Sequence, residues 1–266
     1  MDTSPMTSSA SPAPLVTSEA LEAFTERLVE RFAPEQVILF GSQARGEARW
    51  DSDADILVVV PFEGRRLDTV KAMLSSCVPA FPLHLHLRRP EEIAPRYRWG
   101  DPFIREALDH GQLLHGAAVS VQRTALLTPA RNPVVEEWIE RAERYWRRAE
   151  LLSDLPPGYL SGLFHVEQCL ETYLRAALIA RGIPSRKCRD LQTLSEQLGT
   201  TIPGWQPDRD TLNTLTQAAL AYLNPGEGHP EPGQDVAWAI AQAGPLRECL
   251  SRWFDSLEGM EPQKLA

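Results

Sequence analysis

Apolar residues recur in this chain at two spacings, and the balance between them changes once. Leu21, Phe24, Leu28 and Phe32 step by three and four, which predicts an amphipathic helix over Ser18 to Phe32. Val37 to Phe40 is a short apolar run, and Ala54 to Val60 is a second with Asp55 inside it; both read as strands. Leu67, Val70, Leu74 and Cys77 return to helical spacing. Leu83-His84-Leu85-His86-Leu87 alternates strictly, as a half-buried strand does. A helix is expected from Pro102 to the stop at Gly111, with Gln112 to Leu114 as a short edge strand. Helices and strands in alternation predict a small mixed sheet covered by helices on one side.

Beyond Gly116 the strand pattern disappears. Residues 117–132 are polar and proline-containing and read as a linker. Val135, Trp138, Ala142, Tyr145, Ala149 and Leu152 then give an amphipathic helix, broken at Pro156-Pro157-Gly158. Leu163, Val166, Leu170, Tyr173 and Ala177 build a second, which ends at Gly182 with Pro184 beyond. Leu191, Leu194 and Leu198 form a short third, capped at Asp190 and stopped at Gly199. Leu212, Leu215, Ala219 and Tyr222 give a fourth; Val236, Ile240, Leu250 and Phe254 give a last, with a bend expected at Gly244-Pro245. Short loops between such helices predict an antiparallel bundle. The class is therefore α+β: a mixed sheet with helices over residues 18–116, then an all-α bundle over 133–258.

Composition narrows the setting. A chain of 266 residues buries enough surface for two domains. Its formal net charge of −9 argues against strong non-specific binding of DNA or RNA. No apolar run reaches the length of a bilayer span, so no membrane partner is expected. Residues 1–17 are rich in Ser, Thr and Pro, lack the apolar centre of a signal peptide and read as a disordered tail. Cys77, Cys169, Cys188 and Cys249 have no metal-ligand spacing; free thiols in a reducing compartment, the cytoplasm, follow.

The chemistry concentrates at the end of the first strand. Gly41-Ser42 closes that apolar run, and Asp53-Ala54-Asp55 opens the next. Residues two apart in a strand share a face, so both carboxylates point the same way. Like charges that close repel unless a cation lies between them, and oxygen ligands favour Mg²⁺ or Mn²⁺. The glycine permits a tight turn where Ser42 and freed backbone N–H groups can grip phosphate. The simpler alternative is a polar turn before an ordinary strand, with Asp51, Ser52 and Asp53 in water; Asp55, inside the apolar run, fits it poorly. Neither a Walker sequence nor a GxGxxG is present.

Val37 to Val60, VILFGSQARGEARWDSDADILVVV, resembles the core of the minimal nucleotidyltransferases of the DNA polymerase beta superfamily. The resemblance implies that Gly41 and Ser42 hold the triphosphate of ATP while Asp53 and Asp55 bind Mg²⁺ (or Mn²⁺). The family carries a third carboxylate on a neighbouring strand, a position that here falls on His84, with His86 on the same face. Imidazole can accept a proton near neutrality, but it supplies no negative charge and suits Mn²⁺ or Zn²⁺ better than Mg²⁺. His84 is thus read either as catalytic or as a polar residue on the strand's wetter face. Arg45, and less so Arg49, can meet phosphates or remain loop arginines. Arg88, Arg89, Arg96, Arg98 and Arg105, interleaved with Tyr97 and Trp99, suit nucleic acid, but nearby acids favour a solvated face.

The second half resembles the HEPN helical domains, on Glu137 to Ala142, Phe164 to Glu171, Leu178 to Pro184 and Asp190-Leu191. Ribonuclease members of that family carry an arginine followed four to six residues later by histidine. That spacing is absent after residue 130, the stretch Ala221 to Pro225 stands in its place, and Arg189 replaces a common histidine; RNase activity is not expected. Arg105 and His110 have the spacing but read as a surface helix. His165, near Glu167 and Gln168, reads as a buried polar residue satisfied by its neighbours, and His229 has no evident partner.

The expected reaction is metal-dependent transfer of a nucleoside monophosphate, AMP from ATP, to a hydroxyl on an unidentified protein, RNA or small molecule. The helical domain is expected to close the cleft and to allow a homodimer. Two alternatives stand beside it: a nucleotide-binding regulatory or toxin–antitoxin-type protein that has lost catalysis, and an aminoglycoside-type resistance enzyme.

Overall fold

The computed structural model describes residues 16–49, 52–118, 131–154, 161–185, 188, 190–223 and 233–258. The expected tail up to residue 15, most of the linker, the Pro156-Pro157-Gly158 break, Asp51, Arg189, Asn224-Pro225 and His229 lie outside these. The chain splits into two compact units, Met1–Tyr97 with Phe103–Gln122, and Arg98–Pro102 with Arg123–Ala266.

In the first unit, helix α1 (Ser18–Phe32) is capped by Thr17, whose side chain accepts from the Ala20 N–H. Strand β1 (Gln36–Phe40) follows, then the short helix α2 (Gly41–Arg45) and strand β2 (Ala54–Val59). Helix α3 (Arg66–Ser76), strand β3 (Leu83–Arg88), helices α4 (Pro90–Arg98) and α5 (Pro102–His110) and strand β4 (Gln112–Gly116) complete it. The four strands form one mixed sheet in the order β3-β2-β1-β4. β1 pairs antiparallel with β2 and β4, whereas β2 and β3 run parallel.

Helices cover both faces of this sheet, not one. On one face Val37, Leu39, Ile56 and Val58 pack with Phe24 and Leu28 of α1 and Met73 of α3. On the other, Ile38, Phe40, Leu57 and Val59 pack with Ile93 and Tyr97 of α4 and Ile104 and Ala107 of α5. All five residues of β1 are buried. Continuous apolar runs in β1 and β2 are the mark of strands covered on both sides. The alternating segment is the strand β3, partly buried as expected, at the sheet's edge. The apolar stripe of α3 departs from the expected one in part: Val70 and Cys77 face the core as expected, but Leu67 is 52 % exposed and Met73 is buried there as well.

The second unit is helical. Helix α6 (Pro133–Ser153) starts at Asn132, whose side-chain oxygen accepts from the N–H groups of Val134 and Val135, with proline at the position that needs no donor. Helices α7 (Ser161–Ala180), α8 (Leu191–Leu198), α9 (Arg209–Leu223) and α10 (Val236–Ser256) follow, α10 continuing through Pro245. α7 is central, touching α6, α8, α9 and α10, and most of its residues are buried. In α6 it is Trp146 that is buried, and Tyr145 is only partly covered; Tyr222 on α9 is 40 % exposed.

One polar cluster ties three helices of this bundle together. Glu143 on α6 accepts hydrogen bonds from the Tyr173 hydroxyl on α7 and, at 3.0 and 2.6 Å, from Arg247 on α10. The guanidinium of Arg247 also lies over the Trp146 ring, 4.9 Å from its centroid. Burial raises the Glu143 carboxyl, but the hydrogen bonds from Arg247 and Tyr173 outweigh it and hold it below the ordinary range. A depressed folded pKa means stability that is complete above the glutamate range and lost as pH falls through the folded value. Acid melting curves should therefore show Glu143→Gln less stable than wild type near neutrality, with the gap closing at low pH. In the first unit Phe24, fully buried, is expected to cost about 3–5 kcal/mol on replacement by alanine, read from chemical denaturation.

Candidate active site

The sheet register lines up the residues that matter. Phe40 of β1 stands opposite Asp55 of β2, and Asp55 stands opposite His84 of β3. The next row on the same face is Ile38, Leu57 and His86. Asp53 lies just ahead of β2.

The intervening loop is folded back by its own hydrogen bonds. Gly46 caps α2 in the left-handed conformation, and the Glu47 N–H donates to the Ser42 carbonyl at 3.0 Å. The Gln43 amide donates to the Ser52 carbonyl at 2.9 Å, and the Arg49 N–H donates to the Ser52 hydroxyl at 2.8 Å. These contacts return the chain toward the Gly41 turn, which is why eleven residues of spacer still deliver Asp53 beside it. Gly41 itself is required: its φ is +76°, and a Cβ there would lie 2.4 Å from Asp55 Oδ2.

Both aspartates converge on one imidazole. His84 Nε2 is 3.4 Å from Asp53 Oδ2, and His84 Nδ1 is 3.3 Å from Asp55 Oδ1. His86 Nε2 lies 3.9 Å from the same Asp55 oxygen. A neutral imidazole donates from only one nitrogen, so two carboxylates facing one ring call for extra positive charge. Burial is the largest influence on Asp55 and raises its carboxyl, but the His86 and His84 rings together overcome it and hold it below the ordinary range.

Among the described residues no group of three or more His, Cys, Asp or Glu side chains is arranged to hold a metal ion. The donor set does fit one Mg²⁺ or Mn²⁺ of the kind completed by substrate: two carboxylates, with phosphate oxygens and water filling the remaining positions. The imidazole at position 84 offers no third carboxylate toward a second ion.

The arginines are engaged elsewhere. Arg45 pairs with Glu47 at 2.7 Å and with Glu106 of α5, while Arg49 is exposed. Arg89 donates to the carbonyls of Phe62 and Gly64 and covers the Phe62 ring; Arg105 donates to the Tyr97 carbonyl. Arg96 is buried. A solvated basic face is therefore not what this cluster forms, since most of its arginines serve the fold. His165 also departs from expectation: its Nδ1 is buried without a hydrogen-bond partner among the described residues, and its ring lies against Tyr145 and Phe164. Burial first, and Arg148 second, lower its pKa.

Phe103, on α5 and far from the motif in sequence, was not anticipated. Its ring stacks on His86 with centroids 5.0 Å apart, and Phe40 meets His86 edge-to-face at 5.2 Å. The only available signal was the apolar stripe of α5, which specifies burial but not the partner.

The Gly41 turn thus lies against Asp55, and Asp53 reaches the same histidine from just ahead of β2. Residues 21–114 match the family model of the nucleotidyltransferase domain, and residues 135–233 match that of the HEPN domain. The chain is thus a nucleotidyltransferase domain followed by a HEPN domain. No curated protein matches it. Among solved structures it is similar to spectinomycin adenyltransferase AAD(9) from Enterococcus faecialis, solved with ATP and spectinomycin: 13 % identity and TM-score 0.48, over 89 % of this chain and 100 % of that one. It is also similar to a nucleotidyltransferase-like protein from Exiguobacterium sibiricum, at 13 % identity and TM-score 0.35, over 89 % of this chain and 75 % of that one. Likeness at this level carries no argument about substrate.

Replacing Gly41 by alanine forces a side chain into left-handed backbone and against Asp55. Gly41→Ala is expected to cost about 1–2 kcal/mol of stability from the backbone alone, measurable by denaturant titration.

Proposed function

We propose that the protein transfers a nucleoside monophosphate, AMP from ATP, to an acceptor hydroxyl on a protein, an RNA or a small molecule. The observation that carries this reading is the convergence of Asp53 and Asp55 on one edge of the sheet, beside the Gly41 turn. Gly41 and Ser42 would hold the β- and γ-phosphates. Asp53 and Asp55 would hold the Mg²⁺ (or Mn²⁺) ion, which supplies positive charge against the triphosphate.

His84 is the most exposed of the four clustered side chains, at 64 %, and so the one best able to meet an acceptor. Its role would be to take the hydroxyl proton as the acceptor oxygen attacks the α-phosphorus and pyrophosphate departs. Arg45 would reach phosphate only by giving up its ion pairs with Glu47 and Glu106. No described helix is long and apolar enough to cross a membrane, and four free thiols accord with a cytoplasmic setting.

One observation favours the second reading, a nucleotide-binding regulatory or toxin–antitoxin-type protein without catalysis: an imidazole occupies the place across the sheet from Asp55 where a third carboxylate would stand.

Incubation with labelled ATP and Mg²⁺ or Mn²⁺, with and without lysate, separates the two. Labelled acceptor is expected, and Asp53→Asn or Asp55→Asn should reduce it about a hundredfold or more, as loss of several kcal/mol of charge stabilisation requires. His84→Ala should lower transfer by about a hundredfold while ATP still binds. ATP bound tightly by wild type with no transfer to any acceptor would favour the regulator.

A further inference from the structure

The four clustered side chains of the site differ in how firmly they are held. His84 is 64 % exposed and Asp53 42 %, whereas Asp55 is 29 % and His86 only 23 % exposed. His86 is the one whose ring has two aromatic contacts, stacked on Phe103 of α5 and edge-to-face with Phe40 of β1. Those contacts orient an aromatic ring well beyond what burial alone does. They leave Nε2 directed at Asp55 Oδ1, at a distance where the attraction is electrostatic and short of a direct hydrogen bond.

The other oxygen of Asp55 is fixed too. Oδ2 lies against Gly41, where no side chain could be accommodated. The carboxylate is therefore held between the glycine turn on one side and the two imidazoles on the other. Of those imidazoles, only His86 is clamped, so only His86 can keep Asp55 in place while His84 moves toward an acceptor.

We propose that His86 is a positioning residue: packed against Phe40 and Phe103, it holds the Asp55 carboxylate in the orientation that binds metal and nucleotide, leaving His84 free to act on the acceptor. This rests on the nucleotidyl-transfer reading above. It also assigns Phe103, and through it helix α5, a part in the geometry of a site otherwise built from β1, β2, β3 and the loop between β1 and β2. A partner that orients a ligating carboxylate typically sets metal affinity by about 10–100-fold.

The test uses the full-length protein and Mn²⁺ as the probe. Mn²⁺ binding in the presence of a non-hydrolysable ATP analogue is followed by electron paramagnetic resonance, with melting temperature and ATP-analogue binding without metal as parallel measurements. His86→Phe preserves a ring between Phe40 and Phe103 but removes the nitrogen. It is expected to melt close to wild type and to bind the analogue alone as wild type does, yet to bind Mn²⁺ about tenfold or more weakly. His86→Gln, which returns a donor at a similar reach, should recover most of that loss. A purely structural role predicts the reverse pattern: unchanged Mn²⁺ affinity in His86→Phe, or no recovery by His86→Gln, and either result overturns the proposal. If wild type itself binds no Mn²⁺ with the analogue, it is the nucleotidyl-transfer reading that fails, and the positioning role falls with it.

Discussion

The contact of two carboxylates with the imidazoles of a neighbouring strand is the constraint on which the polar end of the first unit depends. Asp53 and Asp55 both face His84, and His86 lies beside Asp55; these two rings hold the Asp55 carboxyl below its ordinary range against the effect of its burial. Parallel pairing of β2 with β3 brings these rings into register with Asp55 and Leu57. These carboxylates, next to the left-handed turn at Gly41, are the feature on which the proposed binding of a cation and a polyphosphate rests.

The rest of the unit serves to hold that edge still. Apolar residues on both faces of β1 and β2 fix the strands between α1 and α3 on one side and α4 and α5 on the other. Rigid strands bearing the functional groups at their ends are a better platform than loops. The arginines around α4 and α5 bond backbone carbonyls and aromatic faces, so they contribute to packing and not to a basic surface. In the bundle, the half-buried Glu143–Tyr173–Arg247 cluster joins α6, α7 and α10. Groups so fully paired with one another have little capacity left for chemistry on a ligand.

Much of this could be read directly. α1 was legible to the residue because a threonine cap precedes a clean stripe of Leu21, Phe24, Leu28 and Phe32. Strand alternation was expected to put Asp53 and Asp55 on one side; Asp53 lies just ahead of β2, and both carboxylates face His84. Coverage of both sheet faces was harder to see, since the helix that provides half of it, α4, carries only Ile93 and Tyr97 as buried apolar residues and has Pro95 within it. The stripe of α3 was misjudged because Leu67 and Met73 are equally apolar, and only the position of the sheet decides which is buried. His165 was expected to find a partner; instead its Nδ1 is buried with none among the described residues, and its ring lies against Tyr145 and Phe164.

By itself the sequence determined the Gly41-Ser42 turn and the Asp53 and Asp55 pair, the strands beside them, and the change from a mixed sheet to a helical bundle. All of these follow from local spacing, because side-chain direction repeats every two residues in a strand and about every 3.6 in a helix. Only the tertiary structure decided that both aspartates face one histidine, that Arg45 is held by Glu106, and that Phe103 braces His86. Those pairings join residues from separate elements, and which elements meet is set by the packing of the whole unit, a property no local period encodes.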